Sequence, residues 1–230
     1  MLNISRFREL RFLELTLFLV FFWLLLPLIG DHRVVHILTQ LFLLNSLIVA
    51  LSTSEKRSIM KRVVWVFWFL AVATSLISLF PVKPDLKSIT TQAGELFNFA
   101  VLLLSIVSIL TVVFRSNRIT VDTIFAALVA YLLIAFAFGI LYKMMVLGSP
   151  ASFKGLTGDP QNSNEMIYFS VITLATLGYG DIVPVANTAR TIAGLEAIVG
   201  QFYVAVIISV LVGIFISQRI ESNKQEREDK

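Results

Sequence analysis

The sequence predicts an all-α membrane protein: six long helices crossing a bilayer, with a half-length helix and a glycine turn between the fifth and the sixth. Three observations predict it. The 230 residues are 57% hydrophobic and only 15% charged, with a mean hydropathy of +0.85, whereas a soluble domain carries about 25% charged residues. Apolar residues gather in runs of the length a spanning helix needs, ~20 residues for a ~30 Å hydrocarbon layer. Finally, "TLATLGYGD" at 173–181 places two glycines, a tyrosine and an aspartate between a short apolar segment and a long one.

The six long runs lie at roughly 12–29, 34–51, 63–80, 96–114, 122–147 and 187–217, with the short piece at 165–175. Punctuating residues separate them: "GDHR" at 30–33, "STSEKRS" at 52–58, "PVKPDLKS" at 81–88, "RSNR" at 115–118 and "GSPASFKGLTGDPQNSN" at 148–164. The basic opening "MLNISRFRELR" leads into a run too long for a signal core, without a small-residue cleavage site, so the first span is expected to stay. Lysine and arginine gather on the cytoplasmic side of a membrane protein. With the N-terminus inside, thirteen of the nineteen basic residues fall on inner segments, and six fall outside: Arg33, Lys83, Lys87, Lys143, Lys154 and Arg190. Both termini are expected in the cytoplasm of a multi-pass protein of the cell (plasma) membrane.

Composition narrows the chemistry. There is no cysteine, which excludes disulfides, thiolate metal sites and cysteine nucleophiles. The formal charge of +4 and the pI near 9.5 follow from topology; no localised basic patch suits nucleic acid. No nucleophile–base pair, phosphate loop or cluster of metal ligands is present, so neither an enzyme nor a resident cofactor is expected.

The short segment "EMIYFSVITLA" makes a helix of roughly 16 Å, about half a hydrocarbon core. It can enter and stop. Asn162 or Asn164 is a candidate N-cap, and Asn162 with Glu165 has capping-box spacing. Thr176-Leu177-Gly178-Tyr179-Gly180-Asp181 follows. Irregular backbone at membrane depth is tolerated where it is buried in protein or lines a water-filled cavity. Two glycines one residue apart allow torsions that let successive carbonyls face one side. Rings of such oxygens, with a threonine hydroxyl, replace the water shell of a monovalent cation without a fixed negative charge.

These residues resemble the selectivity filter of the tetrameric potassium channels, whose pattern is Thr-Val-Gly-Tyr-Gly. Leu177 stands where valine is usual; that position offers its carbonyl, so the change alters packing behind the filter and keeps the ligands. The nineteenth residue after Asp181 is Gly200, where many such channels place an inner-helix hinge. Six spans with a re-entrant pore helix and filter loop between the last two are the layout of the voltage-gated-like superfamily. The likeness covers 120–217 by motif and layout, and 1–118 by span count alone. It implies a four-helix voltage-sensor-like domain at 1–118, a pore domain at 119–217 and a cytoplasmic tail at 218–230. It also implies that Thr176, Leu177, Gly178, Tyr179 and Gly180 form the filter, with K+ held at Thr176 to Tyr179.

One loop cannot surround an ion, so the resemblance implies three identical partner subunits, membrane lipid around them and K+ as the transported ion. The aromatic cuff behind the filter matches Tyr168 and Phe169. Phe169 stands where tryptophan is frequent and has no donor for Asp181 or Tyr179, and Ile172 replaces an acidic partner of Asp181. Filter support is therefore expected to rest more on packing.

Voltage sensors carry arginine at every third residue of the fourth span. Here 96–114 has no charge, and Arg115 and Arg118 follow it, as inner-face anchors or as a residual sensor. Weak voltage dependence is expected. After Gln218 only "RIESNKQEREDK" remains, a solvated continuation of the last helix, so the opening stimulus is expected to act on the membrane part through lipid, tension, pH or a partner.

Glu196 is the one acid inside the last run. It lines the cavity and concentrates cations, or it is a buried strut, protonated or ionised, bonded to a pore-helix hydroxyl such as Thr173; Gln201 has the same two readings. Gly200 is a hinge or a packing residue, while Gly194 and Gly213 are packing residues. His32 and His36 are interfacial, and Trp23, Trp65 and Trp68 face lipid or the interface. The reading is a potassium-selective channel; its rivals are a potassium-transporter subunit and a non-conducting scaffold. Sodium-selective filters generally lack Tyr-Gly at this place.

Overall fold

The computed structural model describes residues 11–25, 40, 41, 44, 58–78, 80, 83–116, 120–157 and 164–228. These form α1 (Arg11–Leu25), α2 (Ser58–Ser78), α3 (Pro84–Arg115), α4 (Val121–Gly148), α5 (Asn164–Leu174) and α6 (Asn187–Glu228). A two-residue strand β1 (Phe153–Lys154) pairs antiparallel with β2 (Val183–Pro184). The expected span at 34–51 lies outside the described residues, apart from residues 40, 41 and 44, and so do Asn162, His32, His36 and Arg118.

The described residues are mostly helical, and among them three helices are long and apolar enough to cross a membrane: Ser88–Arg115, Val121–Gly148 and Asn187–Gln218. Phe12–Phe22 and Trp65–Ile77 are shorter apolar helices.

Helix α3 departs from expectation at its start. Residues 81–88 read as a connector, yet the helix begins at Pro84. Proline at the first helical position gives up an amide that has no intrahelical acceptor anyway, so the feature that reads as a breaker is an initiator. The longer helix takes in Glu95, one residue before the charge-free run. Its Oε1 lies 2.5 Å from Lys143 Nζ in a pair whose side chains are 4% and 7% exposed. Lys143 is thus a buried partner within α4, and it leaves the set of outer-side anchors.

The reversal into α4 is built locally. Thr120 Oγ1 accepts from the amide of Thr123, and the Thr120 amide donates to Thr123 Oγ1, a capping box. Asp122 in the first turn adds a carboxylate near the positive helix end, and its Oδ1 accepts from the amide of Phe12 at 2.9 Å. Phe12, Leu15, Leu19 and Phe22 of α1 share one core with Val101, Leu102 and Ile109 of α3, Ala126, Ala130 and Leu133 of α4, Leu174 of α5 and Ile207 of α6. The core therefore runs across the boundary at 118–119. A second cluster gathers Tyr142, Val146, Phe153, Met166, Phe169, Ile182 and Ala189 around the short helix.

Burial differs sharply between spans. The apolar window of α4 is 56% buried and that of α6 only 11%. Leu195, Ile198, Phe202, Val206, Phe215 and Ile216 are exposed on α6, and a Cβ at Gly194 or Gly213 would meet nothing within 4 Å. Among the described residues, nothing stands close to those two glycines on the side a Cβ would occupy.

Candidate functional site: the short helix and its glycine loop

Helix α5 has eleven residues, as expected, with Asn164 as its first helical residue. Glu165 turns to the preceding loop, accepting from the amide and hydroxyl of Thr157 at 2.9 and 2.7 Å.

A helix end leaves four carbonyls without intrahelical partners, and all four are satisfied here. Val171 O accepts from Ala175 N at 3.0 Å, and Thr173 O from Thr176 N at 2.9 Å. Ile172 O accepts from both Leu177 N and Gly178 N, at 2.8 and 3.3 Å. Leu174 O accepts from the hydroxyl of Tyr131, on α4, at 3.1 Å. The loop is thereby tied to the end of the helix that precedes it.

Beyond this point the backbone alternates in hand. φ is 58° at Thr176, 52° at Gly178 and 80° at Gly180, and among the described residues only Gly155 joins them at positive φ. Leu177 and Tyr179, between them, stay on the ordinary side. In a regular strand successive residues share one conformation and their peptide groups alternate in direction. Alternating the hand at every residue undoes that alternation, so successive carbonyls can share a side. Glycine takes positive φ freely, but a β-branched residue there is strained. Thr176 is held in place by its amide bond to Thr173 O and by Gln201 Nε2, which donates to Thr176 Oγ1 at 3.4 Å. Leu177 and Tyr179 are 59% and 69% exposed.

The far end of the loop is clamped. Tyr168 donates its hydroxyl to Asp181 Oδ2 at 2.7 Å, so the bond that Phe169 cannot make comes from its neighbour. That bond holds the Asp181 carboxyl below its ordinary 3.8. The strand pair and the amides of Val185 and Ala186, which donate to Ser152 O at 2.8 and 3.2 Å, fasten 183–186 to 152–154. At Gly155, where φ is +88°, an added Cβ would stand 1.8 Å from the Asp181 carbonyl oxygen, so only glycine permits this approach.

Behind the short helix, Phe169, Tyr142 and Phe153 form an edge-to-face triad with centroids 5.0–5.5 Å apart. Glu196 is fully buried beside it. Tyr142 donates to Glu196 Oε2 at 2.6 Å, and Ser170 Oγ bonds Glu196 Oε1. The hydroxyl partner thus sits one turn earlier than Thr173, and among the described residues the carboxyl is buried between Tyr142 of α4 and Ser170 of α5. Ser170 Oγ also contacts Ala135 O at 2.6 Å. A serine hydroxyl has one proton, so both acceptors are served at once when the carboxyl itself donates one bond.

Gly200 is a close-approach residue. A Cβ there would lie 2.2 Å from Leu174 O, so α6 rests directly on the end of the short helix. Gly139 does the same for α4, where a Cβ would be 3.0 Å from Ile167 Cα. Tyr142, Ser170, Tyr131, Gly139 and Gly155 were not singled out in the sequence. Polar groups inside apolar runs ("LYKMM", "YFSVI") were the available signal for the first two.

Residues 126–217 match the family model described as ion channel. Protein LctB of Bacillus caldotenax is 33% identical over 119 residues, 48% of this chain and 86% of that protein. The chain belongs to the same family as Protein LctB. It is a membrane protein with an ion channel domain, and that domain contains α5, the glycine loop and most of α6. The inward rectifier potassium channel Kirbac3.1 of Paramagnetospirillum magnetotacticum is 38% identical over 56 residues, 24% of this chain. The match spans 19% of that potassium channel's length. No solved structure matches the chain.

Proposed function

We propose that the protein is a potassium-selective channel, assembled from four identical chains, that lets K+ run passively down its gradient. The observation that carries the reading is the alternating hand of Thr176 to Gly180 at the end of a half-length helix. Carbonyls sharing one side, with the Thr176 hydroxyl at the base, offer a dehydrated cation oxygen ligands without fixed charge. Four copies are needed to surround it. The exposure of Leu177 and Tyr179 and the thinly covered apolar surface of α6 in one chain fit a site completed by neighbours. Four short helices would then aim their negative ends at a common cavity and favour a cation there. The proposed ligands are Thr176, Leu177, Gly178 and Tyr179, with Gly180 permitting the turn and Tyr168, Phe169, Asp181 and Glu196 in support. The likeness to a potassium channel over 56 residues covers part of the chain and supports the choice of ion.

In this reading the chain has six spans, with α5 re-entrant, both termini in the cytoplasm of the cell membrane, and lipid as its surroundings. No catalysis, cofactor or nucleic acid enters the function. The proposed hinge at Gly200 shares its position with the contact to Leu174, so motion there would act on the short helix at once.

The assembly is tested by the mass of the detergent-purified particle, which should contain four copies of a 25.7 kDa chain; a monomer or dimer that still carries K+ flux would refute it. Replacing Arg115 and Arg118 together by glutamine is expected to leave the voltage for half-activation almost unchanged. A large shift would make them sensor charges. Asp181 gives a pH prediction. Its folded value is lowered by the Tyr168 bond, so its support is complete above the ordinary carboxylate range and is lost as pH falls through the lowered value. Tyr168→Phe returns Asp181 upward toward 3.8. Loss of K+ current on acidifying the outer side should therefore begin at higher pH than in the wild type. An unmoved acid profile would separate that bond from filter support.

A further inference from the structure

Charged side chains inside apolar helices are costly, and those that persist are paired and have a task. Glu95 and Lys143 are such a pair, and ion conduction as proposed does not use them. Glu95 belongs to α3, outside the residues that match the ion channel family, and Lys143 lies inside them. The pair crosses from one helical layer to the other.

Its place on α4 gives it a consequence. Lys143 directly follows Tyr142, which is fully buried and donates to Glu196. Consecutive helical residues point about 100° apart, so one turn of α4 presents Lys143 to α3 and Tyr142 to α5 and α6. The face carrying Tyr142 is the one that meets the short helix, with Ala135 O on Ser170, Gly139 against Ile167 and Tyr142 on Phe169. Apolar packing tolerates some rotation of a helix, whereas an ion pair at 2.5 Å weakens as its two ends separate.

We infer that the Glu95–Lys143 ion pair is a positioning element of the permeation site. It fixes the rotation of α4 that brings Tyr142 to Glu196, and through Glu196 and Ser170 it holds the short helix under the glycine loop. The helices outside the channel domain thereby act on the loop without touching it. Neither residue meets the ion. The inference rests on the proposed channel function.

The test uses the whole chain in bilayers and the variant E95L/K143M. Replacing a buried ion pair by apolar residues of similar size is often neutral or stabilising, so assembly should survive. At matched amounts of assembled protein, its open probability or its K+/Na+ permeability ratio is expected to fall on the order of 5- to 150-fold, the range of typical coupling. Tyr142→Phe should move the same quantity in the same direction. The triple variant should be no worse than the more affected parent, because residues acting in series are not additive. Wild-type behaviour of E95L/K143M, or an effect that adds in full to that of Tyr142→Phe, would overturn the inference. E95Q, which keeps an acceptor for Lys143, serves if the apolar pair fails to assemble; its expected shift has the same sign, and no shift would count against the inference. A wild-type chain that passes no ions would refute the channel reading itself, whereas wild-type currents untouched by these variants would refute this inference alone.

Discussion

Replacing Gly178 with alanine is expected to abolish potassium-selective conduction while leaving the assembly intact. Space is not the obstacle, since a Cβ at this position would meet nothing within 4 Å among the described residues. The obstacle is torsional: φ is +52°, and an L side chain pays about 1–2 kcal/mol to stay there. In the proposed assembly four copies would meet the same cost around one axis. Turning the peptide would relieve it and take a carbonyl away from the proposed ion site. Thr176 shows why this position is the vulnerable one. It too has positive φ, but its amide and hydroxyl are both anchored. Gly178 has a single long amide bond to Ile172 O at 3.3 Å. Bilayer recordings with K+ on one side and Na+ on the other would show either no current or lost selectivity. Ordinary potassium currents in this variant would remove the loop from the permeation path.

The second large effect is expected at Glu196. Alanine there leaves the Tyr142 hydroxyl without its acceptor, leaves Ser170 with Ala135 O alone, and opens a void between α4, α5 and α6. An unsatisfied buried polar group costs about 1–3 kcal/mol and a truncated core side chain about 2–5 kcal/mol, so the protein should melt earlier and the proposed K+ flux should fall with it. Glutamine is the instructive control. Its carbonyl can accept from Tyr142 and its amide can donate to Ser170, which frees the serine proton for Ala135 O. E196Q is therefore expected to keep most of the stability and flux. Equal damage from glutamine and alanine would mean that the negative charge, rather than the hydrogen-bond pattern, is what the site needs.

How much of this was legible beforehand depends on the kind of interaction. The loop 176–181 was legible because its residues are fixed by backbone torsion, and torsional demand is written in residue type: glycines at 178 and 180 mark positive φ. The half-length of α5 was legible from an apolar run of the wrong length to span. Partners across helices were not. Glu196 stood out as an acid in an apolar run, but choosing Ser170 over Thr173 depends on the rotation of α5 against α6, which no spacing within either helix reveals. Tyr168 reads as part of an aromatic cuff beside the donor-less Phe169, yet its own hydroxyl supplies the bond to Asp181. Lys143 looked like an anchor beside a loop, because its partner Glu95 fell just outside the charge-free run. A proline at 84 read as a stop and proved to be a start. Gly155, in a loop far from the motif, is needed only because the chain folds back on Asp181.

The most direct measurement is the reversal potential of the purified protein in a planar bilayer with opposing potassium and sodium gradients. If oxygens aligned by the alternating backbone of Thr176 to Gly180 replace the hydration of K+, the current reverses near the potassium equilibrium potential and stays there when sodium is raised. Reversal that follows sodium, or lies midway between the two ions, would contradict that account.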